Sequence, residues 1–170
     1  PCDITGLRNL AKSDPRVDDL CVMMMTPVCG GFMQTPALKK TVDGFGIAFD
    51  DLTSLRYRGY GCPGPTRMED DKGNVVEKTY LDFWGDDESG WSLPWRCKIC
   101  ADGIGDAADI AVSDTWPGGA PSREQASDDS LDPGSNGIVI RSARAAEFVN
   151  AAIRDGALVV EEEVGPAEMS

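Results

Sequence analysis

The stretch GIVIRSARAAEFVNAAIRDGALVVEEEV, residues 137–164, carries the clearest fold signal in the chain. It begins with the apolar run GIVIRS, which predicts a strand. The amphipathic run ARAAEFVNAAIRDG follows and predicts a helix, because Gly156 stands where helices commonly end. ALVVEEEV then predicts a second strand. The order of the three segments therefore predicts a β-α-β unit.

Shorter patterns upstream predict the remaining elements and the fold class. Residues 117–136, rich in Pro, Gly, Ser and Asp, predict an exposed, mobile loop. The expected class is α/β or α+β, as a single domain with one mixed sheet over residues 1–165 and a tail at 166–170. The other predicted elements are a helix over 4–13, a buried strand over 20–29 with Cys29 at its end, a helix over 34–43, a strand ending at Gly59, a strand over 75–84 with its partner before the EDDKGN turn, and a strand in ADIAVSDTW, 108–116.

The composition excludes several classes of function. The 170 residues include 29 acids and 16 bases, and the net charge of −13 repels nucleic acid. No apolar run approaches the ~20 residues that span a bilayer. With no signal peptide either, we expect a cytoplasmic protein without a membrane span. Because the chain contains no histidine, Ser-His-Asp and Cys-His catalysis are excluded, and no catalytic residue is identified. The opening Pro-Cys-Asp lacks a Met, and we expect a fragment whose N-terminal part is missing.

Cys97 and Cys100 form a CxxC motif, the strongest local chemical signal. This spacing lets two thiolates converge on one metal ion or cluster iron. A thioredoxin-like redox pair is the alternative, but such a pair normally starts a helix after a strand. Gly103, Gly105 and the lack of a helical pattern argue against that alternative.

Two further cysteines extend this pair to a set of four. Cys29 precedes two glycines, which leave room for a bulky group, and Cys2 precedes a predicted helix. Four cysteines without histidine fit an iron–sulfur cluster or a zinc ion that stabilises a binding or scaffold domain. One close pair with two distant cysteines favours the cluster. Cys21 is expected to be a buried small side chain, and Cys62 either a loop residue or a ligand of a second centre.

Charged side chains also end predicted strands. Asp114 follows an apolar strand, at the carboxyl end where α/β proteins place ligand-contacting groups. Arg58, with Gly59, ends another predicted strand and could meet a phosphate or a ring system, a surface salt bridge being the alternative. No calcium-loop spacing is present, so the other acids of the run are expected to serve turns and caps. These acids are Asp102, Asp106 and Asp109.

Several segments together resemble one family. PC-x4-LRNL, VCGGF, LRYRGYGCPGPTR, CKICADGIGDAADIAVSDTWPGG and NGIVIRSARAAEFVNAAIRDGAL occur in the order found in beta subunits of coenzyme F(420) hydrogenase and dehydrogenase. The family includes flavin-containing F(420)-reducing subunits and ferredoxin-dependent chlorophyll-pathway reductases. The resemblance covers the chain from Pro1 to about Val160. Family members carry a further segment upstream, and Cys62 stands where they more often have a bulky or neutral residue.

The resemblance implies an oxidoreductase that holds FAD next to a 4Fe-4S cluster. Electrons would pass between the cluster and FAD, which would exchange a hydride with a deazaflavin or related small-molecule substrate. Ferredoxin or another electron-transfer subunit would be the partner. By motif matching, the implied cluster ligands are Cys2, Cys29, Cys97 and Cys100, and the implied flavin-pocket residues are Arg58, Gly59 and Asp114.

Overall fold

The computed structural model describes residues 1–61, 63–85, 92–115 and 135–165. Cys62, most of the loop predicted over 117–136 and the tail predicted at 166–170 lie outside these ranges. No helix in the described ranges is long and apolar enough to cross a bilayer. The helices are α1 (Cys2–Ala11), α2 (Arg16–Leu20), α3 (Thr35–Gly44), α4 (Tyr80–Trp84), α5 (Trp95–Lys98) and α6 (Ala143–Arg154), with a 3-10 turn at Phe49–Asp51. The strands are β1 (Met25–Pro27), β2 (Leu52–Arg56), β3 (Thr66–Asp70), β4 (Val75–Lys78), β5 (Ile110–Asp114) and β6 (Asn136–Ile140).

The chain divides into two compact units. The first comprises Pro1–Cys29, Ile104–Val112 and Ile138–Ser170. The second comprises Gly30–Gly103 and Ser113–Gly137. Each unit is therefore assembled from separate stretches of sequence, and each has its own core.

The first unit is built around a sheet with the strand order β1-β5-β6, in which β1 runs parallel to β5. Its core contains Ile110 of β5 together with Ala145 and Val149 of α6. The two α6 residues are four positions apart and so share one face of the helix. The helix begins where the Ser142 side chain accepts a hydrogen bond from the Ala145 N–H at 3.2 Å. Burial of this apolar face holds α6 against the unit.

The second unit contains an antiparallel sheet with the strand order β2-β3-β4. The Asp70 carboxylate forms the turn between β3 and β4 by accepting hydrogen bonds from the Lys72 and Asn74 N–H groups at 2.9 and 2.8 Å. This confirms the hairpin predicted across EDDKGN. The core of the unit consists of Val42 of α3, Ile47 and Met68, all buried.

The strand predicted over 75–84 is wrong in its second half. The strand β4 ends at Lys78, and α4 begins because the Thr79 hydroxyl accepts a hydrogen bond from the Asp82 N–H at 3.1 Å. The rings of Phe83 and Trp84 in α4 pack edge to face, with centroids 5.3 Å apart. An aromatic-rich run that favours a strand by composition thus forms a capped helix.

The predicted β-α-β unit is correct for β6 and α6 but wrong for its last strand. After Gly156 the N–H groups of Ala157 and Leu158 donate to the Ala152 carbonyl at 2.9 and 3.2 Å, which closes the helix. Leu158 then packs against the core of the first unit, and residues 159–164 form no strand. The single mixed sheet is likewise wrong, because the described residues form two three-stranded sheets. Helices beside two small sheets fit the α+β class.

Candidate functional site

Cys97 and Cys100 lie at the end of the short helix α5. The Cys97 N–H donates to the Pro94 carbonyl at 2.9 Å, and the Cys100 N–H donates to the Cys97 carbonyl at 3.2 Å. The motif thus forms a tight turn, with Cys97 half-buried and Cys100 exposed. The helix α5 ends within the motif, and residues 99–109 form no helix, as the lack of a helical pattern after the motif indicated. Residues 92–94 form no strand, which differs from the strand-then-helix setting of thioredoxin-like pairs.

Cys2 and Cys29 belong to the first unit, and both are exposed. Cys2 is the first residue of α1, where the Thr5 N–H donates to the Pro1 carbonyl at 3.0 Å. Cys29 lies two residues beyond β1, because that strand is shorter than the one predicted over 20–29. The described cysteines are all free thiols, Cys21 being half-buried; they are Cys2, Cys21, Cys29, Cys97 and Cys100.

The loop that follows Cys29 packs against the segment that precedes Cys97. Within the second unit, a methyl group added at Gly31 would stand only 2.8 Å from Leu93 Cδ1. The Gln34 N–H donates to the Ser92 carbonyl at 3.3 Å. Small residues after Cys29 therefore permit a close approach between two segments that adjoin predicted ligands.

An ion pair that the sequence patterns did not predict holds α1 in the first unit. Arg8 Nη2 donates to Asp109 Oδ2 at 2.9 Å, and Arg8 Nε donates to the Ala107 carbonyl at 3.1 Å. The same Asp109 oxygen accepts a hydrogen bond from the Met24 N–H at 2.9 Å. One carboxylate thus joins the helix that begins at Cys2 to the segment that enters β1. In the sequence, Asp109 is a single aspartate before an apolar strand. No local pattern predicts its contacts, because its partners are distant in sequence.

The protonation of Asp109 reflects this set of contacts. Partial burial raises the pKa of the Asp109 carboxyl, whereas hydrogen bonds from the Met24 N–H and Ser142 and the charge of Arg8 lower it. The lowering contributions prevail, so the pKa lies below its ordinary value of 3.8. Asp109 is therefore a carboxylate at neutral pH, and this charge is part of the folded structure.

Two of the residues assigned to a flavin pocket by motif matching lie together in the second unit. Arg58 Nη1 donates to Asp114 Oδ2 at 2.5 Å, although the two residues are 56 positions apart. Asp114 is the last residue of β5, as its place after an apolar strand predicted. Arg58 lies two residues beyond the end of β2.

Gly59, the third of these residues, lies in a tightly folded loop next to Arg58. Its N–H donates to the Pro63 carbonyl at 3.0 Å. A methyl group at Gly64 would stand 2.3 Å from the Gly59 carbonyl oxygen, and Gly64 has a φ of +71°. A side chain at Gly64 would therefore force the loop backbone apart. Gly59 itself is half-buried, and a methyl group added there would stand 3.6 Å from Arg56 Cδ.

The donor set present in the chain fits an iron–sulfur cluster. Free thiols are the ligands that such clusters use, and the histidine-free sequence offers no imidazole to compete. Cys97 and Cys100 belong to the second unit. Within the described ranges, no group of three or more Cys, Asp or Glu side chains is arranged to hold a metal ion. The four-cysteine ligand set therefore belongs to the proposal below.

Comparison with known proteins places these features in a family. No curated protein matches the chain significantly. Among solved structures, a chain of the F(420)-reducing NiFe hydrogenase complex from Methanosarcina barkeri, studied by xenon derivatization, is similar in fold, with a TM-score of 0.55 over 91% of this chain at 18% identity. The present chain spans 46% of that longer chain. The family described as the C terminus of the coenzyme F(420) hydrogenase/dehydrogenase beta subunit matches residues 1–165. The resemblance seen in the motifs is thus confirmed, and the chain belongs to this family.

Proposed function

We propose that the chain works as part of an iron–sulfur flavoprotein oxidoreductase. Electrons would pass between a 4Fe-4S cluster and FAD, with hydride exchange to a deazaflavin coenzyme of the F(420) type or a related substrate. The observation that carries the proposal is a set of four free cysteines at family motifs in a chain without histidine. Without histidine, side-chain acid–base chemistry near neutral pH has few candidates, so bound cofactors are the natural source of reactivity.

Cys2, Cys29, Cys97 and Cys100 are the proposed cluster ligands. When bound, the cluster supplies single-electron transfer and FAD supplies the conversion between single electrons and hydride. The chain's contribution is to hold the thiols in place. The turn from Pro94 to Cys100 fixes one pair, and the Arg8–Asp109 contact fixes the helix that begins at Cys2.

Arg58, Gly59 and Asp114 are the proposed flavin contacts. Because Asp114 already balances the charge of Arg58, the pair suits the neutral, polar edge of a ring system better than a phosphate. A guanidinium donates to ring carbonyl oxygens, and a carboxylate accepts from ring N–H or hydroxyl groups. Gly59 has no side chain of its own to keep such a ring away from its backbone groups.

The proposed partner is ferredoxin or another electron-transfer subunit, and the proposed location is the cytoplasm. Membership of a family of hydrogenase and dehydrogenase beta subunits supports the proposed partner. The free thiols of the described cysteines support the proposed location, because free thiols persist in reducing compartments.

The test is anaerobic purification of wild type, Cys97→Ser and Cys21→Ser. We expect wild type to contain iron and acid-labile sulfide, with the visible absorption and reduced-state EPR signal of a 4Fe-4S cluster. Cys97→Ser should lose most of its iron. Cys21→Ser removes a half-buried thiol that lies outside the proposed ligand set, and it should retain the cluster.

Other outcomes identify the alternatives directly. Stoichiometric zinc without flavin or colour would indicate a zinc-stabilised scaffold. Thiol–disulfide activity that Cys97→Ser abolishes, in a protein whose metal content stays unchanged, would indicate a redox pair at Cys97 and Cys100. A colourless protein without iron after reconstitution would refute the proposal.

A further inference from the structure

The helix α5 and the residue that follows it expose two large apolar side chains on one side of a single turn. Trp95 is 74% exposed and Ile99 is 62% exposed. The Ile99 N–H donates to the Trp95 carbonyl at 3.2 Å, so the turn is helical and these residues, four apart, share a face. Exposed tryptophan is uncommon in proteins and is enriched at interaction sites.

The same turn carries positive charge in a strongly acidic chain. Arg96 and Lys98 are both exposed and flank Cys97, and no acid occurs between Pro94 and Ala101. Seven other described bases, Arg8 and Lys72 among them, have an acidic side chain within 4.0 Å. Within the described part of the chain, neither Arg96 nor Lys98 takes part in an ion pair. Two uncompensated bases beside two exposed apolar residues form the α5 patch, defined as Trp95, Arg96, Lys98 and Ile99.

We propose that the α5 patch is the docking surface for an acidic electron-carrier protein. Tryptophan and arginine are the side chains that most often dominate binding energy in protein interfaces. Because the whole chain has a net charge of −13, most of its surface repels an acidic partner, and a local positive surface selects the orientation in which that partner approaches. The proposal rests on the proposed function, because docking here brings a carrier next to the Cys97–Cys100 motif.

The test measures binding of a small, acidic two-cluster ferredoxin to the anaerobically purified full chain by calorimetry at low and high salt. The charge-reversed variant is Arg96→Glu/Lys98→Glu. Its matched control is Lys40→Glu/Arg154→Glu, which makes the same change at two exposed bases of α3 and α6. We expect binding at least about tenfold weaker in the α5 variant, with a weaker salt dependence, and little change in the control. Trp95→Ala should weaken binding about tenfold and leave the salt dependence intact.

Several results would overturn the proposal. The first is that wild type does not bind the ferredoxin at low salt, and the second is that the two charge-reversed variants lose affinity equally. The third is a wild-type dimer that dissociates in the α5 variant, which would assign the patch to a second copy of the chain. Cytochrome c, a basic protein, is the control partner of opposite charge. The α5 variant should bind cytochrome c at least as tightly as wild type does. Should the glutamate variant lose iron, Arg96→Gln/Lys98→Gln gives the same comparison. Iron and flavin are assayed in every sample, so that binding without iron refutes the proposed function alone, and iron without binding refutes the docking alone.

Discussion

Two arginine–aspartate ion pairs in this chain have similar chemistry and different surroundings. In the first unit, Arg8 contacts Asp109, whose side chain is 15% exposed and also accepts hydrogen bonds from the backbone N–H of Met24 and from Ser142. In the second unit, Arg58 contacts Asp114, whose side chain is 35% exposed at the end of β5. These additional hydrogen bonds make the first pair part of the folded framework of its unit. The second pair adjoins the tightly folded loop at Gly59, and we propose that a ligand shares its hydrogen bonds.

The largest expected effect separates the two aspartates by their contribution to stability. Asp109→Ala leaves the Met24 N–H and Arg8 without their acceptor and should lower the free energy of unfolding by about 1–3 kcal/mol. Asp114→Ala is the matched control and should cost less than about 1 kcal/mol, because the pair it breaks is more exposed. Urea unfolding followed by circular dichroism measures both values. If both variants lost the same free energy of unfolding, the proposed difference between a structural ion pair at Asp109 and a ligand-binding one at Asp114 would be wrong.

A smaller effect concerns pH and Asp109. Since its folded-state pKa is below the ordinary value of 3.8, its charge stabilises the fold fully above that pH. The stabilisation is lost as the pH falls through the folded-state pKa. The difference in unfolding free energy between wild type and Asp109→Asn, about 1 kcal/mol near neutral pH, should therefore narrow only below about pH 4. Urea titrations from pH 7 to pH 3 test this, and a difference that does not depend on pH would contradict it.

The smallest effect on stability is expected at Arg58. Arg58→Ala should change the free energy of unfolding by less than about 1 kcal/mol, as is usual for an exposed ion pair. It should nevertheless lower the flavin content per chain, because we propose that the guanidinium contacts the flavin. Flavin released by acid is measured by fluorescence, with Arg67→Ala as control because Arg67 also forms a partly exposed ion pair. Normal flavin content in Arg58→Ala would show that Arg58 does not bind the flavin and forms only a surface ion pair.

Local sequence signals predicted the elements whose ends are set by nearby residues. The helix α6 has a Ser142 cap and a terminal Gly156, and α3 has Pro36 in its first turn. The β3–β4 hairpin has Asp70 and Gly73 in its turn. In each case the stabilising contacts are formed within a few positions of the residues that signal them.

Elements that depend on distant partners were predicted less well. The Thr79 cap divided an aromatic-rich run into a strand and a helix, and composition alone favoured strand throughout. Asp109 bonds Met24 and Arg8, which are 85 and 101 positions away, and no local pattern encodes those distances. The pairing of Arg58 with Asp114 was predicted only in part. The family resemblance assigned both residues to one pocket, but nothing in the sequence predicted that they contact each other.

The discontinuous first unit has a consequence for the order in which the chain folds. The sheet β2-β3-β4 lies within Leu52–Lys78, so its pairings close over short loops. The strand β1 instead pairs with β5, which comes more than 80 residues later in the chain, and α6 follows β5. Because closing long loops is slow, we expect the second unit's sheet to form first, and the packing around Cys2 and Cys29 only after β5 and α6 have been synthesised. Binding of the proposed cluster would then follow folding of the second unit's sheet, and pulsed hydrogen exchange that protects β1 before β3 would contradict this order.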